Sequence, residues 1–129
     1  MNITIRIPGK IDPDLNPNSH RHWRIKHRAQ QRARADAYFA TRADGPNRRF
    51  DDAAFAYDVT IGLAKGEKVK DDDNAAAMTK HYRDGIAMAL GCQDDKGWRF
   101  QGAEQVRDPE GVGYIEFRLT EITEQEDAA

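Results

Sequence analysis

The sequence predicts an α/β (α+β) fold, a single small domain in which a mixed sheet of about four strands is packed by two helices. Three observations carry this expectation. Ala54 to Ala64 places Phe55, Tyr57, Val59, Ile61 and Leu63 at every second position, the period of a strand with one buried face. The stretch from about Asp73 to Leu90 repeats apolar residues at helical spacing and stops at Gly91. Along the chain the segments alternate as strand, helix, strand, helix, strand, strand, which suits helices laid on a sheet.

Taken in order, Asn2 to Ile7 alternates Ile3, Ile5 and Ile7 with polar residues and ends at Pro8-Gly9, a half-buried strand with a turn after it. Lys10 to His20 reads as a loop, since Pro13, Pro17, Asn16 and Asn18 disfavour regular structure. A helix is expected from about Ser19 or Arg21 to about Arg42, stopped by Asp44-Gly45-Pro46. It offers little apolar surface, so modest tertiary contacts are expected, with Tyr38 and Phe39 anchoring its far end. Lys65 to Lys70 is a charged loop. On a wheel of about 100° per residue, Ala75, Met78, Tyr82, Ile86 and Ala89 share the core side of the second helix, and Asp73, Ala77, Lys80 and Asp84 share the other. Trp98 to Val106 and Val112 to Ile122 read as the last two strands, with Asp108-Pro109-Glu110-Gly111 as the turn between them. The domain is expected to span residues 1–122, and the acidic tail 123–129 to be frayed.

A chain of 129 residues, 39% of them hydrophobic, is long enough for one core. No apolar run reaches membrane-spanning length and no signal-peptide core is seen, so a soluble, cytoplasmic protein is expected. A lone Cys92 excludes an intrachain disulfide and has no local base to make it a nucleophile. Charge is partitioned. Residues 16–49 hold nine basic side chains (Arg21, Arg24, Lys26, Arg28, Arg32, Arg34, Arg42, Arg48, Arg49) against Asp36 and Asp44, a net +7 in a chain of net −2, so the rest carries −9. Such a split sets a polyanion-binding element beside an acidic one. Arg21, Arg24, Arg28 and Arg32 lie three or four apart and form one stripe of the first helix.

The acidic element begins with Asp71-Asp72-Asp73-Asn74 and continues, beyond the second helix, in Asp94-Asp95. Asp71 and Asp73 point the same way if the segment entering the helix is extended. Carboxylates without thiolate or imidazole suit a hard cation, Mg²⁺ or Mn²⁺. The same residues also serve as ordinary structure, with Asp73 as a helix N-cap and Asp94-Asp95-Lys96-Gly97 as a turn.

The ordered set Asp71-x-Asp73-Asn74, Lys80, Asp84 and Asp94-Asp95 resembles the RusA-type Holliday-junction resolvases, crossover-junction endodeoxyribonucleases often found on phages and prophages. Leu15-Asn16-Pro17-Asn18, then His22-Trp23 and a basic helix, is similar to the N-terminal part of that family. The resemblance covers about residues 3–120. It implies a Mg²⁺- or Mn²⁺-dependent enzyme that cuts branched DNA in recombination and repair, acting as a homodimer. Carried over residue by residue, it implies Asp71, Asp73 and Asp95 as metal ligands and Lys80 as the catalytic lysine. Asp72, Asn74, Asp84 and Asp94 would support them, and Arg21, His22, Arg24, Lys26, Arg28 and Arg32 would bind DNA. Lys80 follows Asn74 by six positions, whereas the best-known form of the family has three, so an insertion of three early in the helix is expected. The alternative is a non-catalytic nucleic-acid-binding protein that uses the basic helix alone.

His20, His22, His27 and His81 lack a third ligand at zinc spacing, so hydrogen bonding near phosphates is the expected role. Trp23 is expected to anchor its loop on the core, with stacking on a DNA base as the alternative. Gly9, Gly66, Gly91 and Gly97 are scattered and form no phosphate-cradling loop.

Overall fold

In the computed structural model, which describes residues 1–51, 53–92 and 97–122, four strands form one sheet. They are β1 (Asn2–Pro8), β2 (Phe55–Leu63), β3 (Arg99–Arg107) and β4 (Tyr114–Glu121), side by side in the order β1-β4-β2-β3. β4 runs antiparallel to both β1 and β2, and β2 runs parallel to β3, so the sheet is mixed. A parallel pair needs a crossover, and the helices between β2 and β3 supply it. The Asp108–Gly111 turn is present, held by Gly111 N donating to Asp108 O at 2.9 Å. It does not close a hairpin, because β2 lies between β3 and β4.

Alternation builds the core. Ile3, Ile5 and Ile7 of β1, the five expected residues of β2, and Ile115, Phe117 and Leu119 of β4 are all buried on one face. The opposite face is polar: Arg6 and Arg118 bridge to Glu116, and Arg118 also reaches Asp58 and the Thr60 hydroxyl.

Helix α1 (Trp23–Asp44) starts two to four residues later than its sequence suggests, capped by His22, whose Nδ1 accepts from Arg24 N at 3.1 Å. Its contacts are not modest. Ala29, Ala33, Ala37 and Thr41, each four residues apart, are buried in a stripe of small side chains. The scarcity of large apolar residues that argued against packing is what permits a close approach. Gly85 faces this stripe, and a Cβ there would lie 2.1 Å from Arg34 O and 3.0 Å from Ala37 Cβ. Phe39 does not anchor the helix; it is 67% exposed. Trp23 does not anchor on the core either and is 65% exposed. The loop before α1 is tied down by Ile11 and Leu15 instead, the latter ending a short 3₁₀ turn at Pro13–Leu15.

The second helix is two: α2 (Asp72–Met78) and α3 (Lys80–Ala89). Thr79 separates them at φ −86°, ψ −9°, with its hydroxyl donating to Ala76 O at 2.7 Å. That local bond competes with the helical ladder, a habit of threonine. Ala75, Met78, Tyr82 and Ile86 are buried as expected, while Ala89 is only half-buried. α3 ends at Gly91 (φ +81°), where Gly91 N donates to Met88 O at 3.1 Å and Cys92 N to Ala87 O at 2.9 Å. This bond pair requires the left-handed conformation that glycine adopts freely. No helix among the described residues is long and apolar enough to cross a membrane.

Candidate metal and nucleic-acid site

Asp71, not Asp73, is the N-cap. Its extended backbone (φ −57°, ψ 139°) precedes α2, and its Oδ1 accepts from Asp73 N at 3.0 Å and Asn74 N at 3.4 Å. Asp72 and Asp73 occupy the first helical turn, so strand alternation does not govern Asp73, and all three aspartates are exposed. The helix dipole offsets their mutual repulsion at this end. Both capping bonds end on Oδ1, so Asp71 Oδ2 carries neither.

The approach to this cap is built from contacts distant in sequence. The Gln105 side chain of β3 brackets Lys70, its Oε1 accepting from Lys70 N and its Nε2 donating to Lys70 O, both at 2.8 Å. Glu67, buried in the same loop, accepts from Ala64 N at 2.8 Å and ion-pairs with the Lys70 ammonium. On the other side, Asn18 Nδ2 donates to Asn74 Oδ1 at 3.2 Å. That bond sets the loop leading into the basic helix against the acidic cap. Gln105, Glu67 and Lys70 had no signal in the sequence beyond being polar, since each acts across a loop or a strand pair. Asn18 and Asn74 stood in the motifs already singled out.

Arg21, His22, Arg24, Arg28 and Arg32 are exposed along the start of α1, and Lys26 is half-buried with its ammonium donating to Ser19 O at 3.3 Å. Lys80 is exposed at the first position of α3. Because Thr79 interrupts the ladder, a count of 100° per residue does not carry from Asp73 to Lys80. Asp84 is half-buried beside His81, with Nδ1 to Oδ2 at 4.0 Å, too long for a hydrogen bond. Arg34 approaches the same Nδ1 at 3.5 Å. Burial holds the His81 pKa below its usual value; Asp84 opposes this, and the Arg34, Lys80 and Arg83 charges add to it. Arg83 donates to the Tyr57 hydroxyl at 2.7 Å, which fixes it against the core. Cys92 is buried, its thiol donating to Phe50 O at 3.4 Å, a packing role.

Asp94 and Asp95 lie outside the described residues. The stretch containing them is flanked by Cys92 and by Trp98, whose ring packs 5.1 Å from Phe55 at the beginning of β2. Lys70, next to the Asp71 cap, is bonded to Gln105 near the end of β3. From Arg99 to Gln105 is six strand residues, roughly 20 Å at 3.3 Å each. Among the described residues no group of three or more His, Cys, Asp or Glu is placed to hold a metal ion. Asp71 and Asp73 supply oxygen donors of the kind Mg²⁺ and Mn²⁺ prefer, and further ligands must come from elsewhere.

No family model matches the sequence. The chain is similar to a protein from Xylella fastidiosa (strain Temecula1 / ATCC 700964), described as an uncharacterized protein, with 33% identity over 125 residues that span 95% of this chain and 78% of the relative. The chain belongs to that protein's family. With 95% of the chain covered, the alignment takes in the basic helix and the acidic cap.

Proposed function

We propose that the chain is a metal-dependent endodeoxyribonuclease of the RusA type, which cuts branched DNA such as Holliday junctions by phosphodiester hydrolysis. The observation that carries this reading is the Asn18–Asn74 hydrogen bond, which holds the loop leading into a basic, exposed helix against a cap of three exposed carboxylates. A nuclease needs this pairing: cations grip the phosphate backbone while carboxylates sit beside it. Asp71 and Asp73, with Asp95, would hold Mg²⁺ or Mn²⁺, which when bound supplies an activated water and neutralises charge on the phosphate. Arg21, Arg24, Arg28 and Arg32 position the backbone, and Lys80 stabilises the phosphate charge that grows during cleavage. Asn74 holds Asn18 and thereby the DNA-binding loop; Asp72 adds negative charge to the cap.

A four-way junction requires two matched cuts, so a C2 homodimer is the proposed assembly. The deciding experiment incubates labelled four-way and linear duplex DNA with and without Mg²⁺. Paired, metal-dependent cuts in the junction alone are expected. The second reading, a non-catalytic nucleic-acid binder, draws on Asp71 being spent on a helix cap. Tight junction binding with no cleavage in either Mg²⁺ or Mn²⁺ would establish that reading instead.

A further inference from the structure

Trp23 is 65% exposed, unusual for the side chain with the most apolar surface to lose from water. Its surroundings are cationic. Arg24 lies with its guanidinium carbon 5.5 Å from the indole centroid; Arg28 is exposed on the following turn, and Arg21 is exposed just before the helix, 3.8 Å from Asp14. The His22 ring sits 5.6 Å away at 31° to the indole. His22 is not loose, because its Nδ1 accepts from Arg24 N in the helix cap. The aromatic pair is therefore set on a rigid element, the start of a 22-residue helix. Trp23 is also five residues from Asn18, at most about 17 Å of chain, and Asn18 is bonded to Asn74 beside the carboxylates.

We infer that Trp23 is a stacking platform for an unpaired DNA base. Charge complementarity selects the partner. An apolar protein surface would have to bury Arg24 and Arg28 unpaired, whereas a nucleic acid offers phosphates to these cations and a base face to the indole. A duplex keeps its base faces covered, so the site discriminates in favour of strands with unstacked bases, as at a branch point. This deepens the nuclease reading by naming what the basic helix recognises, and it rests on DNA being the substrate, not on cleavage.

The test measures binding in EDTA, which separates it from catalysis. Fluorescently labelled oligothymidine, duplex and four-way junction are titrated with wild type, Trp23→Ala and Trp23→Phe. Base–aromatic stacking corresponds to about a tenfold to hundredfold loss on truncation to alanine. Trp23→Ala should therefore weaken oligothymidine and junction binding by about that factor and duplex binding by less than about twofold, with Trp23→Phe close to wild type. Intrinsic fluorescence should be quenched by oligothymidine in wild type and in Trp98→Phe, but not in Trp23→Phe. Equal losses on all three DNAs, or none, would overturn the inference. A change in sedimentation of Trp23→Ala in the absence of DNA would overturn it too, since the indole would then be a subunit contact. If Trp23→Ala gives the selective loss while wild type cuts no DNA in Mg²⁺, the platform stands and the nuclease reading falls.

Discussion

Asp71 is asked to do two jobs, and substitution can separate them. Its Oδ1 caps α2 through Asp73 N and Asn74 N, and its carboxylate is proposed as a metal ligand. Alanine removes both functions. Serine keeps a capping oxygen, since Ser, Asn and Asp cap about equally well, but removes the charged ligand. Losing a cap costs about 1 kcal/mol, within a range of roughly 0.5–2. For a domain of this size that lowers Tm by about 4 °C. In Asp71→Ser the loss of charge at the positive helix end costs roughly 0.3–1 kcal/mol. Relief of repulsion from Asp72 and Asp73 offsets it, so a Tm within about 2 °C of wild type is expected.

Cleavage should divide differently. A bound metal ion contributes several kcal/mol to transition-state stabilisation, so both variants should lose on the order of 10²-fold or more in junction-cleavage rate at saturating Mg²⁺. The assays are far-UV circular dichroism melts and single-turnover cleavage of a labelled junction. If Asp71→Ser cuts at the wild-type rate, the carboxylate is a cap and nothing else. If Asp71→Ala melts with Asp71→Ser, the capping argument fails.

Four other outcomes are expected. Gly85→Ala gains about 1 kcal/mol of helix propensity but drives a methyl to within 2.1 Å of Arg34 O, a backbone atom that cannot rotate away; overpacking of this kind costs roughly 1–3 kcal/mol or more, so a lowered urea midpoint is expected and an unchanged one would mean α1 and α3 are not in close contact. Replacing Arg24 and Arg28 together with alanine should weaken DNA binding and flatten its dependence on salt by close to two phosphate contacts, while an unchanged slope in a salt titration would make the stripe a solvated surface. Lys80→Ala should lower the cleavage rate strongly and junction affinity little, because a charge that acts on the transition state is felt there most; wild-type cutting would pass the role to another cation. His81, its pKa lowered chiefly by burial, binds a proton more readily unfolded than folded, so its contribution to stability is present above the ordinary histidine pKa and is lost as pH falls from there through the lowered value; His81→Gln should flatten the Tm-versus-pH curve on that acid side, and a curve unchanged from wild type would refute the assignment.

The sheet was legible because its signal is strictly local and periodic. β1, β2 and β4 each carry one apolar face at every second residue, and burial follows that alternation along β1 and β4 and the first half of β2, beyond which Thr60 and Gly62 are buried as well. The helical packing was harder. An alanine stripe at four-residue spacing reads as weakly hydrophobic when residues are summed, yet small side chains let backbones approach, and Gly85 opposite makes the approach closer still. Hydrophobicity measured along one helix does not register this, since the fit belongs to two helices. The break at Thr79 escaped for a related reason: a hydroxyl that turns to Ala76 O leaves no mark on the spacing of apolar residues on either side.

The candidate site divides along the same line. Its residue types were legible, because carboxylates, asparagines and arginines are named by the sequence itself. Its placement was not, because Asp71 is located by Lys70 and Gln105 on one side and by Asn18 and Asn74 on the other. Those bonds span 35 and 56 residues of chain, and side-chain amides have no period to reveal them. The wheel set Lys80 in line with Asp73 by assuming an unbroken ladder, and with Thr79 between them that alignment must be measured instead of counted. What the fold adds is adjacency. A basic segment of +7 and an acidic cap, far apart in sequence, meet at the Asn18–Asn74 hydrogen bond, and that adjacency of opposite charges at an exposed surface is what the proposed reading rests on.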